Sequence, residues 1–186
     1  QIEMATAVPN TATRTGFRAP TEGYDATTEQ LLQKSGLRHH TADPNRTEGR
    51  LPLLVPMENV PPSETLVVLP RTQRDDINLH WERLSVEQTT AALIDDADQA
   101  FSTGSLGLLS VHSQNFGADR PLPKAFPPLL AHLKGYGRPL WMASAGQVAD
   151  WWRDRERFKL TSDFAGKRLE FNISILGDQP LRGASL

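Results

Sequence analysis

The sequence has 186 residues, with 20 Lys and Arg, 22 Asp and Glu, five His and no Cys. A hydrophobic content of 38% and a charged content of 23% are typical of a globular protein that buries a core. The net charge of −2 argues against a nucleic-acid surface. Without Cys there is no disulfide, thiolate metal site or cysteine nucleophile. The apolar runs have strand length, so we expect no transmembrane segment, and composition does not determine the compartment.

The first elements predicted along the chain are a strand, a helix and a second strand. Residues 15–19 predict the first strand. Asp25 is an expected N-cap for a helix over 26–35, and Gly36 suits the position that ends it. Residues 37–41 predict the second short strand.

A proline-rich segment separates these elements from the rest of the chain. Residues 42–64 hold five prolines and few helix formers. A structureless loop of about 20 residues is uncommon in a compact domain and tends to be functional, although a plain surface excursion is an equal alternative. The apolar run over 65–69 stops at Pro70 and predicts a strand that is buried on both faces.

The second half of the chain alternates helix and strand patterns. Ser85 and Gln88 spell a capping box, as do Ser144 and Gln147, and each predicts the start of a helix. Residues 123–133 predict another helix, in which Pro127 and Pro128 require a helix start or a kink. The first helix carries an apolar face of Val86, Thr90, Leu93, Ile94, Ala97 and Phe101, and the last a stripe of Ala145, Val148, Ala149 and Trp152. The strands predicted between the helices cover 106–112 and 139–143.

This alternation indicates an α/β fold with parallel strands and helical crossovers, as a sheet or a barrel. Four such units make about half of a (β/α) barrel, which usually needs ~250 residues, so the barrel interpretation implies a missing part. Residues 167–176 alternate with period two, as an antiparallel strand does, and predict a β-rich extension. The predicted domains are 1–160 and 161–186.

Polar side chains follow three of the predicted strands, where parallel α/β folds place their ligands. Arg18 could hold a carboxylate, or be a surface arginine before a turn. His112 is a candidate general acid or base, because imidazole titrates near neutral pH, or else a structural histidine. Asp75 and Asp76 could point to the same edge, although acidic pairs are usually solvated. Their convergence predicts one site.

Metal and sugar sites receive less support from the residues alone. His39 and His40 would lie on opposite faces of a strand, and no three-ligand metal set is visible. Trp151 and Trp152 could stack on a sugar, but the helical stripe favours a core position for Trp152.

Three segments resemble the NodB-homology polysaccharide deacetylases, a carbohydrate esterase family. Its Arg-x-Pro motif resembles Gly16-Phe17-Arg18-Ala19-Pro20. Its last motif, Leu-x-His, resembles Leu109-Ser110-Val111-His112, where Ser110 takes the place of the family's usual Leu and Leu109 is one position earlier. Its closing helix is similar to the segment that runs from Trp141 to Arg155. The resemblance covers about residues 1–160.

The resemblance implies metal-assisted deacetylation of an N- or O-acetylated carbohydrate, with a divalent metal, often zinc, that polarises the acetyl carbonyl. In that scheme His112 is the general acid and Arg18 orients the catalytic base. The backbone amide of Thr21 is the oxyanion donor, and Asp75 or Asp76 is the carboxylate that positions the arginine.

The family's first two motifs, which carry the base and the metal ligands, have no counterpart in this sequence. Residues 1–5 resemble the helix after the second motif, so the partner that the resemblance implies is the missing N-terminal barrel half. We expect this chain alone to bind no catalytic metal tightly. The alternative hypothesis is a non-catalytic carbohydrate-binding or assembly module that is derived from the same barrel.

Overall fold

The computed structural model describes residues 15–42, 51–137, 140–165 and 168–178. The helix expected over 1–5, the first part of the proline-rich loop and Pro139 lie outside these ranges. The strands are β1 (Gly16–Arg18), β2 (His39–Ala42), β3 (Leu53–Leu54), β4 (Val67–Pro70), β5 (Phe158–Ala165) and β6 (Arg168–Ile175). The helices are α1 (Ala26–Lys34), α2 (Asp76–Trp81), α3 (Val86–Ser102), α4 (Pro121–Gly135) and α5 (Ala145–Arg155).

Four strands form one mixed sheet in the order β1-β2-β4-β3. β1 pairs with β2 and β2 with β4 in parallel, which confirms the predicted parallel strands, whereas β3 is antiparallel to β4. α1 connects β1 to β2, as a helical crossover does. The described strands form an open sheet and no closed barrel.

Helices cover both faces of this sheet. On one face, Leu66 packs with Leu32 of α1 and with Leu37. On the other face, Val67 and Leu69 pack against Ala149 and Trp152 of α5, as the predicted stripe requires. Successive residues of β4 therefore serve opposite faces, and the four residues of this strand are all buried.

The helices α2, α3 and α4 form a second core, beside the sheet. Its buried members are Leu79, Leu93, Ala97, Leu122, Ala125 and Leu129. The predicted face of α3 was rotated from the observed one: Thr89 and Ala100 are buried, whereas Phe101 is exposed and stacks on Tyr136 with ring centroids 4.0 Å apart.

The predicted strand over 106–112 is wrong, because this segment joins no ladder. The hydroxyl group of Thr72, a residue that follows β4, lies against the backbone of residues 106–108. It donates to the carbonyl of Leu106 and accepts the N–H of Leu108 at 3.1 Å. A side chain in this place separates the segment from the end of β4 and replaces the backbone pairing of a strand.

The predicted strand over 139–143 is also wrong where the structure describes it. Residues 140–143 are irregular, and the side chains of Trp141 and Met142 are exposed. The helix expected over 123–133 begins earlier, with Pro121 in its first turn. Pro127 and Pro128 lie inside this helix, where they supply no N–H to the carbonyls of Pro123 and Lys124.

The C-terminal extension is an antiparallel hairpin of β5 and β6, which confirms the antiparallel strand predicted there. It begins at Phe158, before the predicted boundary at 161. Phe164 pairs with Leu169 and Leu160 with Ile173, so one face of the hairpin is apolar, and these side chains are exposed. Among the described helices, none has the length and apolar character needed to cross a membrane.

Candidate functional site

The candidate site begins at the carboxyl ends of the parallel strands. Arg18 is the last residue of β1, and Arg71 directly follows β4, where its N–H donates to the carbonyl of Ala42 at 2.9 Å. Because β1, β2 and β4 are parallel, these two arginines emerge from the same edge of the sheet.

Both arginines bind the carboxylate of Glu22, which the sequence interpretation did not include. The Arg71 Nε lies 3.1 Å from each Glu22 carboxylate oxygen, and the Arg18 guanidinium forms an ion pair with one of them. Glu22 is buried, so its charge is compensated by two cations and not by water. In the described part of the chain no hydrogen bond or ion pair joins Arg18 to Asp75 or Asp76, the carboxylates predicted to position it, and Glu22 reaches Arg18 from the turn that follows β1.

His112 and Asp76 form a hydrogen-bonded pair at the start of α2. The His112 Nδ1 lies 2.8 Å from the Asp76 Oδ1. The same carboxylate accepts the His112 backbone N–H at 2.9 Å and the Asn115 side-chain amide at 2.8 Å. The Asp76 side chain is 1% exposed, whereas that of His112 is 37% exposed. The buried Asp76 carboxylate therefore fixes the imidazole ring, and part of that ring remains accessible to solvent.

This geometry favours an ionised carboxylate next to a proton-bearing imidazole. Burial raises the pKa of the Asp76 carboxyl, but the hydrogen bonds from His112 and Asn115 outweigh burial and hold this pKa below its ordinary value. An ionised Asp76 accepts a hydrogen bond from the Nδ1–H group of His112, so the second ring nitrogen, Nε2, is the one left for proton exchange.

Asp75 has a different role from its neighbour. Its carboxylate accepts the Asn78 N–H at 2.7 Å and caps α2, while the Asn78 side chain accepts the Asp75 N–H at 3.2 Å. Asp75 also lies 3.8 Å from the Arg71 guanidinium. This residue, predicted to be catalytic or to position Arg18, orients α2 and does not contact His112.

Thr21 lies in a tight turn after Pro20, between Arg18 and Glu22. Both Thr21 and Glu22 have positive φ angles, of 56° and 59°, a conformation that is costly for residues other than glycine. The turn is closed by a hydrogen bond from the Glu22 N–H to the carbonyl of Ala19 at 3.0 Å. Strained turns of this kind often occur at functional sites, and this one directs the Glu22 carboxylate back to the arginines.

A cavity of about 220 Å³ adjoins the Asp76–His112 pair. Asp76 and Asn115 contribute to its wall, together with apolar side chains of α2 and α4. A cavity with an apolar wall and a few polar groups beside a proton-transfer pair is the usual form of a small-molecule site.

A metal centre is not visible in the part of the chain that the structure describes. No three His, Asp or Glu side chains there are grouped so that they could hold a metal ion. His39 lies beside Gly16, whereas the ring of His40 meets that of Tyr24 on the opposite face of the sheet. The two adjacent histidines therefore lie on opposite faces of the sheet, as the sequence predicted.

Glu22, Arg71 and Asn115 belong to the arrangement but were not selected from the sequence. Arg71 follows a predicted strand and Asn115 lies three residues after His112, so strand-end position alone could have selected both. Glu22 carried no such signal, because its position depends on two positive φ angles that the sequence around it does not predict.

Comparison with known proteins assigns no family to the chain. No match was found among protein-family models, curated proteins or solved structures.

Proposed function

We propose that this chain contributes the proton-transfer part of a hydrolytic site that deacetylates an N- or O-acetylated carbohydrate. The observation that carries the proposal is the pair of Asp76 and His112. A buried carboxylate fixes one nitrogen of a half-exposed imidazole, and the other nitrogen is left for the reaction. The resemblance to the polysaccharide deacetylases supplies the carbohydrate substrate.

In this proposal His112 is the general acid. After water has added to the acetyl carbon, His112 gives its Nε2 proton to the nitrogen or oxygen atom of the sugar as the bond from that atom to the acetyl carbon breaks. The sugar leaves as a neutral amine or alcohol and the acetyl group leaves as acetate. Asp76 holds the ring in the orientation and tautomer that this transfer needs and stabilises the imidazolium form before it. Asn115 supports Asp76 through its amide.

The other proposed roles come from the resemblance and are consistent with the placement of the residues. Arg18 would orient the catalytic base, and Glu22 replaces Asp75 or Asp76 as the carboxylate that holds this arginine. The Thr21 amide would donate to the oxyanion. The parallel strands β1, β2 and β4 would be consecutive strands of a partial (β/α) barrel.

The resemblance also implies a divalent metal, zinc in many members, which would polarise the acetyl carbonyl. The described residues do not fit such a centre, because they offer no group of three ligands. The proposed mechanism therefore assigns no step of this chain to a metal.

The test compares two histidines that are both paired with an aspartate. His132 binds Asp98 at 2.7 Å and its side chain is 34% exposed, close to the 37% of His112, but it lies in α4 with a different partner. In the full-length protein, His112→Ala should lower acetate release from an acetylated oligosaccharide by about 10²–10⁴-fold, whereas His132→Ala should leave it unchanged. Normal turnover in His112→Ala would contradict the proposal.

A second candidate function is a carbohydrate-binding or assembly module without catalysis. The observation that favours it is the lack of a three-ligand metal group among the described residues. Oligosaccharide binding by the full-length protein without acetate release, with or without added zinc, would support this alternative over the hydrolase.

A further inference from the structure

The cavity beside Asp76 carries positive charge that the proposed mechanism does not use. Arg83 and Arg120 contribute to its lining. In the described part of the chain neither arginine side chain has a hydrogen bond or an ion pair, unlike Arg18, Arg71 and Arg74. Two exposed arginines at one cavity, with no such partner among the described residues, form a potential anion site.

Arg83 occupies a backbone position where glycine is usual. It follows the last turn of α2, its φ is 52°, and its N–H donates to the carbonyl of His80 at 3.1 Å. Helices commonly end with glycine in this left-handed conformation, because a Cβ is unfavourable there. The local structure therefore gives no reason for an arginine at this position.

Arg120 also occupies a position where another residue would be more favourable. It is the N-cap of α4 but makes no side-chain capping hydrogen bond. The N-caps of α1, α2, α3 and α5 are Asp or Ser, and each of them forms a capping box. Departures from local preference are expected where a residue serves binding, and both departures here lie at one cavity.

We propose that this cavity binds the anionic group of an acidic carbohydrate, with Arg83 and Arg120 as the groups that recognise it. This inference rests on the proposed function, which supplies the carbohydrate substrate, and adds that this substrate is negatively charged. Leu79, Leu84 and Leu122 give this cavity an apolar wall. Asp76 repels an anion weakly, because its carboxylate already accepts three hydrogen bonds.

A carboxylate and a sulfate ester would both suit two guanidinium groups, so the test separates them. Three probes share one backbone: an oligouronide, the same oligomer with its carboxyl groups reduced to primary alcohols, and the reduced oligomer after sulfation. Calorimetric titration of the full-length protein should show at least tenfold tighter binding of one charged oligomer than of the neutral one. The charged oligomer that binds more tightly identifies the anion, and its affinity should fall as the salt concentration rises.

The variants use the unusual backbone positions of the two arginines. Arg83→Gly relieves the left-handed strain and Arg120→Ser supplies a capping hydroxyl, so neither should lower the melting temperature. Each should weaken binding of the charged oligomer at least tenfold and leave binding of the neutral oligomer unchanged. Lys134→Ala removes a positive charge at the opposite end of α4 and should change neither affinity.

Two results would overturn the inference: equal affinity for the charged and neutral oligomers, or arginine variants that bind the charged oligomer like the unchanged protein. The outcome is independent of the proposed chemistry, because binding needs no proton transfer. Tighter binding of a charged oligomer by a protein that releases no acetate would support the anion site and contradict the deacetylase.

Discussion

Asp75 and Asp76 are neighbours in the chain, but the fold places them in different environments. Asp75 caps α2 through a neutral N–H group, and asparagine can accept that hydrogen bond equally well. Asp76 accepts hydrogen bonds on both carboxylate oxygens, one of them from the imidazole N–H, and an amide at this position has only one acceptor oxygen for the same donors.

These two positions provide a matched pair of variants for the proposed reaction. Asp75→Asn should retain acetate release and stability, whereas Asp76→Asn should lower acetate release by about 10²-fold or more, as expected when a general acid is displaced. Acetate release and the melting temperature of both proteins check the prediction. Equal effects of the two changes would remove Asp76 from the proposed mechanism.

His39 is a buried histidine that the proposed chemistry does not use. Its Nδ1 has no hydrogen-bond partner among the described residues. Burial, followed by the positive charges of Arg153 and Arg38, lowers the pKa of His39 below the ordinary 6.5, although Asp150 acts in the opposite direction. The unfolded chain therefore binds a proton at higher pH than the folded protein does.

This pKa difference predicts how stability changes with pH. The stabilising contribution is complete above pH 6.5 and is lost as the pH falls from there toward the folded-state pKa. We expect His39→Gln to reduce the loss in the free energy of unfolding between pH 7 and pH 5. Urea denaturation at several pH values gives this slope, and an unchanged slope would show that His39 titrates equally in both states.

At the scale of elements, the helix starts were the most accurate part of the sequence interpretation. The predicted caps Asp25, Ser85 and Ser144 all accept the N–H three residues later. Capping is a local interaction within four residues, so it can be predicted from the sequence without knowledge of the fold. The strand over 106–112 was wrong because pairing depends on a distant partner, and here Thr72 takes the place of that partner. Residues 140–143, the described part of the other predicted strand, also join no ladder.

The cap of α3 can be tested directly. Ser85 accepts the Gln88 N–H at 3.2 Å, and its N–H donates to the Gln88 side chain at 2.9 Å. Ser85→Ala should lower the free energy of unfolding by about 1 kcal/mol. Ser85→Asn should lower this free energy much less, because asparagine is an equally good N-cap. A denaturation series in urea measures both, and equal losses would show that the hydroxyl does not stabilise α3.

At the scale of the whole molecule, α5 links the end of the described chain to the central sheet. Trp152 packs on Val67 and Leu69, and the Arg155 guanidinium lies 3.8 Å from the centre of its ring. Arg153 donates to the carbonyl of Arg38 at 2.7 Å, so the helix is held by polar as well as apolar contacts. Arg38 directly precedes β2, and 115 positions separate it from Arg153.

The contribution of this contact to stability is expected to be large. Trp152 is 8% exposed, whereas Trp81, at the end of α2, is 76% exposed. Trp152→Ala should lower the free energy of unfolding by about 3–5 kcal/mol, whereas Trp81→Ala should change it by less than about 0.5 kcal/mol. Chemical denaturation of both variants gives the comparison. A small effect at Trp152 would mean that α5 does not stabilise the sheet.

The sequence by itself determined the helix caps, the buried strand before Pro70, the stripe of α5 and the choice of His112 as a candidate acid. Each of these depends on residue type and short-range spacing, which are fixed before the chain folds. Only the tertiary structure decided that Asp76 binds His112, that Glu22 holds Arg18, and that Arg83 and Arg120 meet at one cavity. Those contacts join residues from separate elements, and they depend on side-chain directions that a buried core and a strained turn impose after folding.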